Sequence, residues 1–335
     1  MNKESVEGAG RTAFVTGGNG LVGSWLVRTL LERGYTVRAL VRATSDLSFL
    51  DDLEVEYVVG DISEPDSYRE EIAGSNIVFH VAGVTSVGSK EEYWRVNVDG
   101  TRSLADICSQ IPSLERFVFI SSVAATGPSR DGQPQNEEDP TVPVTPYGES
   151  KLAGEAACRE GLGGRCALTI VRPGAVYGPW DRNFLRVFQL VKMGILPNRM
   201  GDQCVSLIHV EDLADLIERA GRFEIAADRT YMASDPTYCW SSDMGRMIAS
   251  ALDSRVRIFP VPNTLLWMVV AVNWFLRKLG TGSASLTRTR IRDFHERYWM
   301  FDSTRAQQEL EWSPSRTQQE GLSDTADWYR RMGWL

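Results

Sequence analysis

The chain has 335 residues, 43% of them apolar and 24% charged, a composition that can bury a core without disulfide or metal staples. Its net charge of −8, from 36 Lys+Arg against 44 Asp+Glu, argues against nucleic acid as the main partner, because phosphate binding needs a basic surface. Five cysteines without C-x-x-C spacing and only three histidines suggest neither a disulfide framework nor a metal site, and with a polar N-terminus that lacks an apolar leader they point to the reducing cytoplasm.

In chain order, residues 12–16 (TAFVT) read as a short buried strand, followed by a glycine-rich turn over 17–23 and an amphipathic helix through Leu31, ending near Gly34. Further strands are expected at 35–41, 55–59, 76–81, 116–120 and 166–171, with helices between them at 66–72, 93–108 and 147–159. Continuous apolar strands alternating with helices specify a doubly wound, parallel α/β sheet of the Rossmann class. The division expected is a dinucleotide-binding domain over 11–180, with further strands from 205–235 (207–210 and 229–233), and a smaller α/β substrate lobe over 181–335 that includes a helix at 241–252. The Pro- and acid-rich stretch 128–146 reads as a surface loop long enough to act as a lid. Seven of the ten tryptophans lie after residue 235, in the expected substrate lobe. The longest apolar run, 265–276, is too short to span a bilayer.

The turn TGGNGLVG places Gly17, Asn19, Gly20, Leu21 and Gly23 between a strand and a helix start. Glycines there allow a tight turn and close approach to a pyrophosphate, and the helix N-terminus faces the phosphate charge. At the end of the second strand an acid would bind a ribose 2′-hydroxyl, whereas an arginine accommodates a 2′-phosphate. The strand ends Val41-Arg42 with no acid in that slot, so NADP is expected, with Arg42 as first ligand and Arg38 as second, and NAD as the alternative. Asp61 and the Ile62 backbone, after the third strand, are candidates for the adenine edge; a turn-capping role is the other reading of Asp61.

Ser122 closes the fifth strand, and Tyr147 and Lys151 follow in YGESK, four apart and therefore on one helix face. An ammonium beside a phenol favours the phenolate, so Tyr147 is suited to exchange a proton with a hydroxyl or carbonyl near neutral pH. Ser122 would hold the substrate oxygen, and Lys151 would also reach the nicotinamide ribose.

These segments, together with GDI at 60, FHVAG at 79, NVDGT at 97, SSVAATG at 121, VRPGAVYGP at 171, LIHVEDLAD at 207 and the C-terminal FDSTRAQQELEWSP, resemble the extended short-chain dehydrogenase/reductases of the epimerase/dehydratase group over nearly the whole chain. The resemblance implies catalysis by Ser122, Tyr147 and Lys151, with Ser121 the lesser serine. It implies cofactor contacts from Gly17, Gly20, Gly23, Asp61, Ala82, Gly83 and the Pro173 loop, and a supporting role for Asn97.

Two departures choose a branch. The 4,6-dehydratases of the group carry an Asp-Glu pair after the catalytic serine or threonine, where this chain has Val123-Ala124. Its UDP-sugar epimerases carry a pyrophosphate-clamping arginine at the position of Val205. The chain is therefore nearer the 3β-hydroxysteroid dehydrogenase and dihydroflavonol reductase branch, and an apolar small-molecule substrate is expected. The apolar run 265–276, followed by a stretch to 297 with a local net charge of +4, reads as lobe core, as a mouth for a lipophilic substrate, or as a peripheral membrane contact through 265–297. Arg292 in that stretch is a candidate substitute for the missing clamp. A nucleotide-sugar epimerase is the competing enzyme reading, and a non-catalytic cofactor sensor is the reading from a different class. A homodimer through the helices at 93–108 and 147–159 is expected by analogy.

Overall fold

The computed structural model describes residues 8–87, 89–262 and 296–335. The expectations placed on 265–295, including the apolar run and Arg292, lie outside the described residues.

Alternation within single strands sets the layers. In β1 (Thr12–Thr16), Ala13 and Val15 enter one apolar cluster and Phe14 the opposite one. The same split separates Phe79 from Val78 in β4 (Ile77–His80) and Val118 from Phe117 in β5 (Arg116–Ile120). A strand buried on both faces has no solvated side, which is why these strands read as continuous apolar runs.

Seven parallel strands form the main sheet, in the order β10-β6-β5-β4-β1-β2-β3, with β2 at Thr36–Val41, β3 at Glu56–Val59, β6 at Ala167–Pro173 and β10 at Thr230–Ala233. The strand order reverses between β1 and β4, which opens a crevice at their C-terminal ends where a dinucleotide binds in this architecture. One face is covered by α1 (Leu21–Glu32) and α6 (Val210–Arg222). These helices are tied by Arg33, whose guanidinium pairs with Asp215 and Glu218, and by the Tyr35 hydroxyl, which donates to Glu218 at 3.0 Å. The other face carries α3 (Thr101–Cys108) and α4 (Pro146–Leu162).

The helix expected at 93–108 is composite: α2 (Lys90–Trp94), a π-helical turn over Arg95–Gly100, then α3. The helix expected at 66–72 is not formed. Only a short 3₁₀ turn, Pro65–Ser67, occurs there, and the Ser67 hydroxyl donates to the Glu64 carbonyl at 2.6 Å while accepting the Asp61 N–H at 3.1 Å, a local alternative to helix.

A second sheet is built around β9 (Cys204–His209), which pairs antiparallel with β11 (Tyr238–Trp240) and parallel with β7 (Ala175–Tyr177) and β13 (Tyr298–Trp299). Packed against it are α5 (Leu185–Lys192), α7 (Ser241–Ala251) and α9 (Gln318–Arg331), with β8 (Ile195–Arg199) paired to β12 (Arg257–Val261) beside them. Of the two added strands expected near 207 and 229, β10 extends the main sheet and β9 founds the second. The chain does not divide simply at residue 180. Beyond it, α6, β10 and Trp312, together with Ala306 and Leu310 of and after α8 (Thr304–Glu309), join the core of the main sheet. Trp312 is buried there, its Nε1–H donating to the Asp212 carbonyl at 3.0 Å, so it belongs to the cofactor half rather than the lobe. No helix among the described residues is long and apolar enough to cross a membrane.

Candidate active site

The turn after β1 is shaped by atoms that glycine lacks. Gly17 has φ +70°, and a Cβ on it would lie 2.8 Å from the backbone N and Cα of Ala82. A Cβ on Gly23 would lie 2.1 Å from the Gly17 carbonyl oxygen. Both positions therefore exclude any other residue without movement of the turn. Gly20 forms the N-cap of α1 with no side chain bonded to the helix, and no acid occupies the first turn. The amides at the start of α1, beginning at Leu21, are left without a side-chain cap, and Asn19 stands half-buried in the turn before them. A cradle kept open by missing Cβ atoms and ending in an uncapped helix N-terminus fits the pyrophosphate of a dinucleotide.

At the C-terminal end of β2, Arg42 is exposed, and its backbone N–H bonds the Ser45 hydroxyl at 3.0 Å in a tight turn. Arg38 is not brought to this end. Its guanidinium holds Glu56 at 3.0 Å and the carbonyls of Glu71 and Ala73 at 3.1 Å, and Ala73 lies in the loop that enters β4, at the opposite, N-terminal end of the strands. Asp61 caps its own turn, accepting the Ser63 N–H at 2.8 Å, and Ile62 packs behind the π-helical turn near Gly100.

The catalytic candidates come from two turns in contact. Ser122 caps the 3₁₀ turn Val123–Ala125, its Oγ accepting the Ala124 N–H at 3.1 Å. Thr145 caps α4, accepting the Gly148 N–H at 3.2 Å, and Pro146 at the first helical position fixes the entry. A Cβ on Gly148 would meet the Ala124 carbonyl at 2.2 Å, so α4 begins directly against the Ser122 turn. Tyr147 stands half-buried there, its ring 6.1 Å from that of Tyr93. Lys151, one turn on, is buried, with Nζ 4.5 Å from the Phe119 ring centre and 3.6 Å from the point where a Gly83 Cβ would be. Burial lowers its pKa to about 8, opposed by the nearby Glu155 carboxylate. Pro173 is buried at the end of β6, level with Ala233 of β10.

Two buried networks brace this group; the resemblance implies a supporting role for Asn97, while nothing in the sequence singles out Ser150, Glu155 and Arg172. Asn97, in the π-helical turn, accepts the Val84 N–H at 2.8 Å and donates to the Val84 carbonyl at 3.0 Å and to Ser150 Oγ at 2.9 Å; Ser150 in turn donates to the Tyr147 carbonyl at 2.7 Å. On the next turns of α4, Glu155 accepts the Ser121 hydroxyl at 2.6 Å and the Arg172 guanidinium at 2.9 and 2.7 Å, while Arg172 also donates to Thr126 at 3.3 Å.

The wall beside Ser122 is apolar. Val123 clusters with Met232, Trp299 and Phe301, and Val144 and Val205 pack against them. Val205 sits in β9 opposite Trp299, so the position aligned with a phosphate-clamping arginine is part of this wall. The loop over 128–146 is held down rather than loose: Ser129 N–H donates to the Tyr298 carbonyl and Gln135 N–H to the Met300 carbonyl, both at 2.9 Å, and Glu137 accepts the Met232 N–H at 2.7 Å. Arg297, at the edge of the described lobe, lies over the rings of Tyr298 and Trp240 at 5.0 and 5.7 Å. Among the described residues no three His, Cys, Asp or Glu side chains gather as a metal site.

Comparison with known proteins agrees with this fold. The model of the NAD dependent epimerase/dehydratase family matches residues 13–231. Ceramide reductase of Caulobacter vibrioides is 31% identical, aligned over 96% of this chain and 95% of that protein. UDP-glucose 4-epimerase of Vibrio cholerae is 29% identical over 94% of each chain. Among solved structures, gox2253 superposes with a TM-score of 0.78 at 27% identity, covering 97% of this chain and 99% of that one.

Proposed function

This chain belongs to the NAD dependent epimerase/dehydratase family and is an NAD(P)-dependent enzyme, and we propose that it is an NADP(H)-linked oxidoreductase interconverting a secondary alcohol and a ketone on a mostly apolar small molecule. The observation that carries the substrate reading is the wall of Val123, Val144, Val205 and Trp299 beside Ser122. Burying a diphosphate against such a wall would leave its charge without a clamping cation among the described residues of β9, at a cost of several kcal/mol as an order of magnitude. Full-length similarity to a ceramide reductase supports the same reading.

When bound, the nicotinamide supplies or accepts the hydride. In the reductive direction, Ser122 donates a hydrogen bond to the carbonyl oxygen and fixes its position, keeping its proton. Ser122 Oγ already accepts the Ala124 N–H, which polarises that hydroxyl toward donation. Tyr147 passes its phenolic proton to the same oxygen as the alcohol forms, leaving a phenolate. The Lys151 ammonium, poorly solvated in its pocket, stabilises that phenolate and favours its formation. Asn97 and Ser150 hold the first turn of α4, which carries Tyr147 and begins against the Ser122 turn. In the oxidative direction the Tyr147 phenolate takes the alcohol proton and Ser122 keeps the same hydrogen bond.

NADP in preference to NAD rests on Arg42 at the end of β2. We also infer a homodimer through α2, α3 and α4, which light scattering of the purified protein tests, and a cytoplasmic location, supported by five buried unpaired cysteines.

The direct test incubates purified protein with NADPH or NADH and medium- and long-chain ketones, following absorbance at 340 nm. Ketone-dependent oxidation of NADPH is expected. The second reading, a nucleotide-sugar epimerase, is favoured by the full-length similarity to the Vibrio cholerae enzyme. Tightly retained NAD, conversion of UDP-glucose to UDP-galactose and no ketone reduction would overturn the first reading in favour of the second.

A further inference from the structure

His80, the last residue of β4, is completely buried and takes no part in the chemistry above. Its Nδ1 lies 2.7 Å from Thr16 Oγ1 and its Nε2 lies 2.8 Å from Thr101 Oγ1. Thr16 is the residue before the Gly17 turn, and Thr101 opens α3 directly after the π-helical turn that carries Asn97.

The proton positions follow from the neighbours. Thr101 Oγ1 stands 2.9 Å from the Asn97 carbonyl, which can only accept, so the threonine proton goes there. Thr101 must then accept from His80, which places the imidazole proton on Nε2. A neutral ring has one N–H, so Nδ1 accepts, and Thr16 is its donor. Thr16 Oγ1 is left to accept, and the Ala82 N–H reaches it at 3.1 Å. The result is one directed chain, from Ala82 N–H through Thr16, His80 and Thr101 to the Asn97 carbonyl, with every buried polar atom satisfied. Burial, with the Lys151 charge adding to it, pushes the His80 pKa down to about 3, so the neutral ring this chain requires is the form present at every physiological pH.

The two ends of the chain touch different parts of the site. Ala82 and Thr16 define the close approach at Gly17, where the pyrophosphate fits. Asn97 holds Val84 and, through Ser150, the Tyr147 turn. His80 also packs at 5.5 Å against the Phe119 ring over which Lys151 rests. We propose that His80 is a positioning residue that clasps the cofactor turn to the helices holding Tyr147 and Lys151, so that dinucleotide affinity depends on a hydrogen bond made at Thr101, on the far side of the ring from the turn. The proposal rests on the cofactor part of the reading above and not on the substrate.

Equilibrium binding tests it without a substrate. NADPH and NADH are titrated by fluorescence into wild-type protein, His80→Phe, Thr101→Val and the double variant, with the thermal midpoint of each recorded. His80→Phe fills the ring space and abandons both threonines; Thr101→Val keeps shape and removes the far end of the chain, the contacts to His80 and to the Asn97 carbonyl, while leaving the His80–Thr16 contact in place. Expected are a loss of about tenfold or more in affinity for the tighter cofactor in His80→Phe, a loss of about threefold or more in Thr101→Val, and a double variant no weaker than the worse single one, because both cut one chain. A Thr101→Val protein with a lowered thermal midpoint but wild-type affinity would make the chain merely structural and overturn the proposal, as would additive losses. Thr101→Val alone decides the matter if His80→Phe does not fold. Wild-type protein that binds neither dinucleotide would instead overturn the cofactor reading itself.

Discussion

The Ser121 hydroxyl donates to the buried Glu155 carboxylate at 2.6 Å, and that bond distinguishes the two adjacent serines that follow β5. Ser121 is committed to the core, where Glu155 also takes both arms of Arg172. Ser122 accepts the Ala124 N–H and keeps its own proton for the cleft. Ser122→Ala should therefore lower kcat by roughly a hundredfold, the scale of losing one oriented donor at a reacting oxygen. Ser121→Ala should leave kcat within about threefold and cost about 1–2 kcal/mol of stability, since Glu155 loses one of its partners. Steady-state kinetics and urea unfolding of the two variants check this; the reverse pattern would reassign the serines.

Tyr147 carries the proton in the proposed reaction, and Tyr147→Phe removes the hydroxyl while keeping the ring that packs near Tyr93. Turnover should drop by at least about two orders of magnitude, while the affinity for cofactor stays within a few-fold. A phenylalanine variant with ordinary turnover would refute the proton-transfer role.

Cofactor choice separates Arg38 of β2 from Arg42 directly after it. Arg38 is spent on Glu56 and on the carbonyls of Glu71 and Ala73, whereas Arg42 is exposed just past the C-terminal end of β2, where the proposed reading puts the adenosine. Arg42→Ala should weaken NADPH by roughly tenfold or more with NADH little changed, because a phosphate loses its guanidinium partner. Arg38→Ala should leave the NADPH-to-NADH ratio alone and cost up to about 1 kcal/mol, as for a partly exposed ion pair. Fluorescence titration of both variants with both cofactors measures this.

The features legible in the sequence are those written in local period and local sterics. The glycines of the first turn, the alternation of apolar strands with helices and the Tyr147–Lys151 spacing each need only a few neighbouring residues to specify them. The features that escaped depend on distant partners. Nothing near Asn97 announces a π-helical turn, because its use is to bring that side chain to Val84 and Ser150. Arg38 looked like a phosphate ligand because strand register, not composition, decides which end of the strands a side chain reaches. Trp312 counted with the lobe by position, yet its indole is held by Asp212 in the core of the main sheet. His80 read as one more residue of an apolar strand until Thr16 and Thr101 were placed on either side of it.

Lys151 supplies a prediction whose sign can be worked out. The side chain is 4% exposed, and burial lowers its pKa from 10.5 to about 8. Between those values the unfolded chain holds a proton that the folded chain has released, so this residue's contribution to stability rises with pH through that window. Below about pH 8 the folded protein carries the full cost of a buried ammonium, about 3 kcal/mol as an order of magnitude. Lys151→Met carries no such proton. Its stability relative to wild type should be greatest near pH 7 and should fall by about that amount on approaching pH 10.5. Urea unfolding of cofactor-free wild-type and variant protein across this range measures the difference and cancels the other titrating groups common to both. A difference that does not vary with pH would mean that Lys151 keeps an ordinary pKa. The cost itself fits the proposed chemistry: an ammonium poorly solvated in its pocket gains most when a phenolate forms beside it, so the strain at Lys151 favours ionisation of Tyr147.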